Sequence, residues 1–103
     1  MARSVRKTYY VYILASRFRG ATYIGVTGEI HQRLLDHRAG KGSAYATKWN
    51  ITYPVHLEEF QYVNDALLRE AQLKTWRRQW KFDLIETHNP NWNDLTDTLA
   101  MGG

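Results

Sequence analysis

Residues 8 to 16 (TYYVYILAS) and 21 to 27 (ATYIGVT) are short, mainly apolar runs rich in aromatic and β-branched residues, and read as two strands whose side chains point alternately to opposite faces. The connection between them, RFRG, ends in Gly20, a residue able to take the positive φ of a tight turn, so the two segments are predicted as a β-hairpin. From Glu29 to Ala39 the spacing becomes that of a helix, which Gly40, Lys41 and Gly42 end. A polar stretch, GKGSAYATKWN, leads to a third strand near Pro54 to Gln61, where Pro54 favours a sheet edge or a strand start. A helix capped by Asn64 or Asp65 then runs to about Trp76, and a second covers about Arg78 to Thr87. The remainder, HNPNWNDLTDTLAMGG, is turn-rich and expected to fray at its end.

The order strand, strand, helix, strand, helix, helix predicts an α/β (α+β) layer arrangement, a small and mainly antiparallel sheet with helices packed on it. With 103 residues, one domain over 1–103 is expected, its core at about 8–95 and its termini flexible. No internal repeat, low-complexity tract or linker interrupts it.

Composition narrows the chemistry. The chain has no cysteine, which excludes a disulfide framework, a thiol nucleophile and a thiolate metal site, and fits a reducing cytoplasm. The start, MARSVRK followed by an apolar run from Tyr9 to Ala15, imitates a secretory signal, but the run is short, tyrosine-rich and without a small-x-small cleavage pattern, so it reads as a strand. No run approaches the roughly 20 apolar residues of a membrane helix. The net charge is +4, and the cations are grouped. Arg3, Arg6, Lys7, Arg17 and Arg19 precede the first acid, Glu29; Arg33, Arg38, Lys41 and Lys48 form a second group; Arg69, Lys74, Arg77, Arg78 and Lys81 form a third. Brought together by the fold, these make a polyanion-binding face; left apart, they are a solvated surface.

Within the hairpin, pairing Tyr12 with Gly25 would turn Tyr10, Tyr12, Leu14, Tyr23 and Gly25 to one face, with Gly25 leaving an open spot where a phosphate can approach the Tyr12 hydroxyl. On the helix that follows, Ile30 and Leu34 form the buried stripe, and Arg33 and His37, an i, i+4 pair, border it on one side. His31 falls on the opposite side and takes no role. In VNDALLREAQLKTW, Val63, Ala66, Leu67 and Leu73 make an apolar stripe with Glu70 inside its arc. A carboxylate there is either paired, in the plainest case with an arginine, or a metal ligand. The run KTWRRQWK could stack bases on Trp76 and Trp80, but tryptophans one helical turn apart read first as anchors of the helix to the core. Phosphate-binding loops, nucleophile elbows, HExxH pairs and zinc-finger spacings are all missing.

Taken in order, these segments resemble the GIY-YIG endonuclease superfamily, in particular its small stand-alone bacterial proteins. Tyr10-Val11-Tyr12 stands where the family has its first triplet, Tyr23-Ile24-Gly25 matches the second, and IGVTGEIHQRLLDH is similar to the arginine helix. REAQLKTW and LIETHNPNW resemble the carboxylate helix and a closing Asn-Pro-x-Trp. The departure is Tyr10, where the name-giving glycine would stand. The resemblance implies a three-stranded antiparallel sheet flanked by helices, and Tyr12, Tyr23, Arg33, His37 and Glu70 as site residues. It implies one Mg²⁺ or Mn²⁺ on Glu70 and phosphate held by Arg33. Tyr12 would be the general base, with its pKa lowered by metal and arginine, and Tyr23 and His37 would orient water or phosphate. Gly25, Arg38, Lys41, Lys48, Lys74, Arg78 and Asn89 are expected to contact nucleic acid, DNA in preference to RNA. The activity implied is metal-dependent phosphodiester hydrolysis in DNA repair, recombination or nucleic-acid turnover. The alternatives are a nucleic-acid-binding module with little or no turnover and a protein-interaction domain.

Overall fold

The computed structural model describes residues 7–99. Strand β1 (Tyr9–Ala15) is the centre of a three-stranded antiparallel sheet in the order β2-β1-β3, between β2 (Thr22–Thr27) and β3 (Tyr53–Phe60). The hairpin register pairs Tyr12 with Gly25 and Leu14 with Tyr23, so these four residues share a face. Helices α1 (Ile30–Arg38), α3 (Val63–Thr75) and α4 (Arg78–His88) fall within a residue or two of the segments read from periodicity. Arg3 and Arg6 of the first basic run lie outside the described residues.

Period-2 alternation divides the core between the two sheet faces. On one, Tyr12 and Leu14 pack with Ile30 and Leu34 of α1. On the other, Val11, Ile13, Ala15, Ile24 and Val55 pack with Ala66 and Leu73 of α3 and Phe82 and Ile85 of α4. The central strand is buried from Val11 through Ala15, so β1 reads as a near-continuous apolar run rather than a one-sided one.

Several expectations are corrected. The turn residue with positive φ is Arg19, at 54°. Gly20 is needed for crowding instead, because a Cβ there would fall 2.7 Å from the Arg17 side chain. The polar stretch after α1 contains a short helix, α2 (Ala44–Lys48), whose cap is Ser43: its Oγ accepts from the backbone N–H groups of Tyr45 and Ala46, at 3.1 and 3.3 Å. Pro54 stands where expected, as the second residue of the edge strand β3, and beside a bulge: Ile13 pairs with His56 and Leu14 with Pro54, leaving Val55 unpaired. The segment after α4 does not fray before Leu99. Trp92 and Leu99 are buried, and the Leu95 N–H donates to the Pro54 carbonyl at 2.9 Å. Residues beyond Leu99, where fraying was expected, lie outside the described set. Val63 and Leu67 of the expected α3 stripe are 42% and 45% exposed, and Trp80 is half exposed, so it does not anchor α4 to the core.

Candidate active site

Tyr12 is fully buried on the central strand, and its ring lies against Gly25 on the edge strand. A Cβ added at Gly25 would sit 2.5 Å from Tyr12 Cζ and 3.0 Å from Cε1. The glycine therefore makes room for the tyrosine itself, and the open spot expected for a phosphate is filled by the phenol ring. This corrects the assignment of Gly25 as a nucleic-acid contact. It also explains why a side chain is missing in the interior of an otherwise regular strand.

Helix α1 supplies the next partner. His37, buried at the edge of the Ile30 and Leu34 stripe, places Nε2 at 3.2 Å from the Tyr12 hydroxyl. Tyr23 completes the group: its ring centroid is 5.3 Å from that of His37 and 6.4 Å from that of Tyr12. His37 is held from behind by Gly42, where a Cβ would fall 2.6 Å from Cε1. The sequence marks Gly42 only as part of a helix stop, and the signal for its second use is a glycine at the turn beside a helix that carries a buried ring. His37 Nδ1 is buried without a hydrogen-bond partner.

The electrostatics of the group follow from burial. Desolvation, followed by the nearby Tyr23 phenol, pushes Tyr12 up to about 12; Arg33 pulls the other way by charge and hydrogen bonding, and Glu70 adds to the rise. Arg33 thus acts on Tyr12 in the expected direction, and burial outweighs it. Burial and then the Arg33 charge lower His37 below its ordinary 6.5, against a smaller opposing effect of Asp36, so the ring is neutral at pH 7. Arg33 itself is exposed and lines a groove of about 500 Å³ with Lys7, Tyr9, Thr27, Val63 and Leu67, which accounts for the exposure of the last two.

Glu70 stands on α3, the helix on the other side of the sheet. Its side chain is 18% exposed, and its Oε2 accepts from the Lys74 ammonium at 3.0 Å, one turn along the helix. The arginine pair of this helix is made by the neighbouring residue: Arg69 donates to both oxygens of Glu58 on β3, at 2.8 and 2.9 Å. Among the described residues no three His, Cys, Asp or Glu side chains are grouped to hold a metal. A single carboxylate as the only protein ligand would suit a hard cation that keeps most of its waters, Mg²⁺ or Mn²⁺, and would not suit zinc.

The expected nucleic-acid contacts divide. Lys41 and Lys48 are exposed around α2, with the Lys48 ammonium 5.3 Å from the Trp49 ring centre. Lys74 reaches Glu70. Arg38 is committed to the C-terminal segment, donating to Asp94 at 3.0 Å and Thr96 at 2.8 Å. Arg78 donates to the Arg19 carbonyl at 3.1 Å and lies over the Phe82 ring. Asn89 is not a contact: it is buried, and its amide donates to the Val55 and Asn93 carbonyls, both at 3.0 Å, while its oxygen accepts from the Asn93 N–H at 3.1 Å. With both ends of the amide engaged inside the protein, nothing is left for a phosphate.

The GIY-YIG catalytic domain matches residues 8–83, a span that includes both tyrosine triplets, α1 and Glu70. The chain belongs to the GIY-YIG family. Its relatives include a UPF0213 protein of Staphylococcus haemolyticus, 35% identical over 76% of this chain and 94% of that protein. A UPF0213 protein of Lacticaseibacillus paracasei is 33% identical over 84% of this chain and 96% of its own length. The fold agrees with the solution NMR structure of the UPF0213 protein BH0048 from Bacillus halodurans, with a TM-score of 0.52, 25% identity, and coverage of 91% of this chain and 99% of that one. The chain is thus similar to small bacterial GIY-YIG proteins whose names state no activity. Family membership implies a nuclease-type catalytic domain and a nucleic-acid substrate. Among the described residues, no helix is long and apolar enough to cross a membrane.

Proposed function

We propose that the protein is a metal-dependent endonuclease that hydrolyses phosphodiester bonds, in DNA in preference to RNA, in repair, recombination or nucleic-acid turnover. The observation that carries this reading is the buried hydrogen bond between the Tyr12 hydroxyl and His37 Nε2. Alone, a phenol with a pKa of about 12 is ionised to only about one part in 10⁵ at pH 7. Coupled to a neutral imidazole, it can pass its own proton to Nε2 as it takes one from the attacking water, so the pair is the general base. Nε2 accepts in this way when the ring proton is on Nδ1. Tyr23, packed on the same imidazole, orients the water or the phosphate.

Arg33, exposed at the margin of this group, offers a planar fork to the phosphate oxygens and stabilises the charge that develops on them. Glu70 is the ligand for one Mg²⁺ or Mn²⁺. The ion, when bound, would supply positive charge to the phosphate and acidify water in its shell. In the free protein Lys74 pairs with Glu70.

The test is a cleavage screen over labelled single-stranded, duplex and branched DNA and RNA, with Mg²⁺, with Mn²⁺ and with chelator, for wild type, Glu70→Gln and Arg33→Ala. Metal-dependent cleavage lost in both variants is the expected result. Nucleic-acid binding that survives chelation, with no cleavage of any substrate, overturns the proposal in favour of a binding module.

A further inference from the structure

On the outer side of β2, between that edge strand and the helices α3 and α4, lies a cleft of about 180 Å³ lined by Thr22, Tyr23, Ile24, Lys74 and Lys81. Two lysines and two hydroxyl-bearing residues border it, and no acidic residue does. We propose that this cleft binds the phosphodiester next to the scissile one, with Lys81 as its principal cation and Lys74 as its second. The proposal deepens the nuclease reading and rests on it for the identity of the strand.

Two features place the cleft beside the chemistry, and a third leaves a cation available in it. Tyr23 lines it and also packs on His37 in the buried aromatic group. Lys74 lines it and also reaches Glu70 at 3.0 Å. The Lys81 side chain makes no hydrogen bond or ion pair among the described residues, its backbone N–H donating to the Arg77 carbonyl, although Arg19, Arg38 and Arg69 each pair with an acid. A half-buried lysine without an acid partner at the wall of a polar cleft has its charge available to an anion. Consecutive phosphates in a strand repeat at short intervals, so a protein that grips one on Arg33 meets its neighbours along the same edge. Lys74 joins the cleft to Glu70. It shares Glu70 in the free protein and can take a phosphate oxygen when Glu70 serves a cation.

The test is equilibrium binding of a labelled single-stranded oligodeoxynucleotide, about a dozen nucleotides long, in Ca²⁺ between about 50 and about 200 mM salt. Wild type, Lys81→Ala, Lys81→Arg and Lys74→Ala are compared, with melting curves to show that each is folded. Loss of one phosphate contact should weaken binding several-fold at the lower salt and flatten the slope of log affinity against log salt by about 0.7 in Lys81→Ala, with recovery in Lys81→Arg. A Lys81→Ala slope and affinity equal to wild type overturn the proposal. So does competition by inorganic phosphate as effective as that by the oligonucleotide at equal phosphate concentration, which would make the cleft a site for free phosphate. The two readings fail separately: a flattened slope in a protein that cleaves nothing removes the nuclease and keeps the subsite, whereas cleavage with an unchanged slope does the reverse.

Discussion

The ring of Tyr12 lies across the α-carbon of Gly25, so that the second triplet of the hairpin is shaped to the side chain of the first. A methyl group at Gly25 would meet a ring that is fully buried on the central strand and has no free direction to move. Gly25→Ala is therefore expected to cost about 1 to 3 kcal/mol of stability and to displace the Tyr12 hydroxyl from His37. Melting curves measure the first effect and cleavage the second. A variant as stable and active as wild type would show that the ring is not confined in this way.

Tyr12 should be among the last of the tyrosines to ionise. Burial and Tyr23 raise it to about 12, Arg33 lowers it and Glu70 raises it, so the substitutions have opposite signs. In a spectrophotometric titration taken as the difference from Tyr12→Phe, Arg33→Ala should move this phenol further up and Glu70→Gln should move it down. The same shift in both variants would mean that the two charges do not act on the phenol directly.

Glu70 is paired with a lysine one turn away on the same helix, at 3.0 Å and in part exposed to solvent. Such a pair contributes about 0.3 to 0.5 kcal/mol, so Glu70→Gln should melt within a few degrees of wild type while losing cleavage. Had the partner been a buried arginine, the same change would cost roughly 3 to 5 kcal/mol. A strongly destabilised variant contradicts the pairing described, and one that cleaves normally removes Glu70 from the mechanism.

What the sequence makes legible here is what local periodicity encodes. Two strand-forming runs on either side of a short loop mark the hairpin, the two-residue period tells which side chains share a face once the register is set, and helical spacing puts Arg33 and His37 on one margin of α1. The five residues of α2 are too few to show a period, so only Ser43 signals it. Long-range partners are not legible at all. Nothing near Arg38 in the chain points to Asp94, and nothing near Asn89 points to the Val55 carbonyl freed by a bulge. The open spot at Gly25 was misassigned for a related reason: a missing side chain shows that space is needed, but not by what.

The pH dependence of stability should centre on Glu58. Burial alone would raise its pKa, but hydrogen bonds from His56 and Arg69, and their charges, outweigh burial and hold it near 2 against an ordinary 4.5. With the folded value below the unfolded one, the unfolded chain binds more protons between these limits. The stabilisation is complete above about pH 4.5 and is lost as pH falls toward 2, roughly 3 kcal/mol in all. Denaturant melts of wild type should weaken across that window. In Glu58→Gln the dependence should flatten, with lower stability at pH 7; an unchanged acid limb would assign acid sensitivity to other groups.

Asn89 supplies the sharpest contrast between a contact with substrate and a brace for the fold. Its amide ties the end of α4 to the Val55 carbonyl in the β3 bulge and to both backbone groups of Asn93. Asn89→Ala leaves these groups without partners in a region where Val55 and Trp92 are buried, an expected loss of roughly 2 to 3 kcal/mol. Asn89→Asp should not recover it, because a carboxylate has no donor for the two carbonyls and sets negative charge against them. Since the amide faces inward, the salt dependence of nucleic-acid binding should be the same in the folded variant as in wild type, whereas a phosphate contact would take about 0.7 from the slope. A stable Asn89→Ala protein with a flattened slope would return this residue to the nucleic-acid interface.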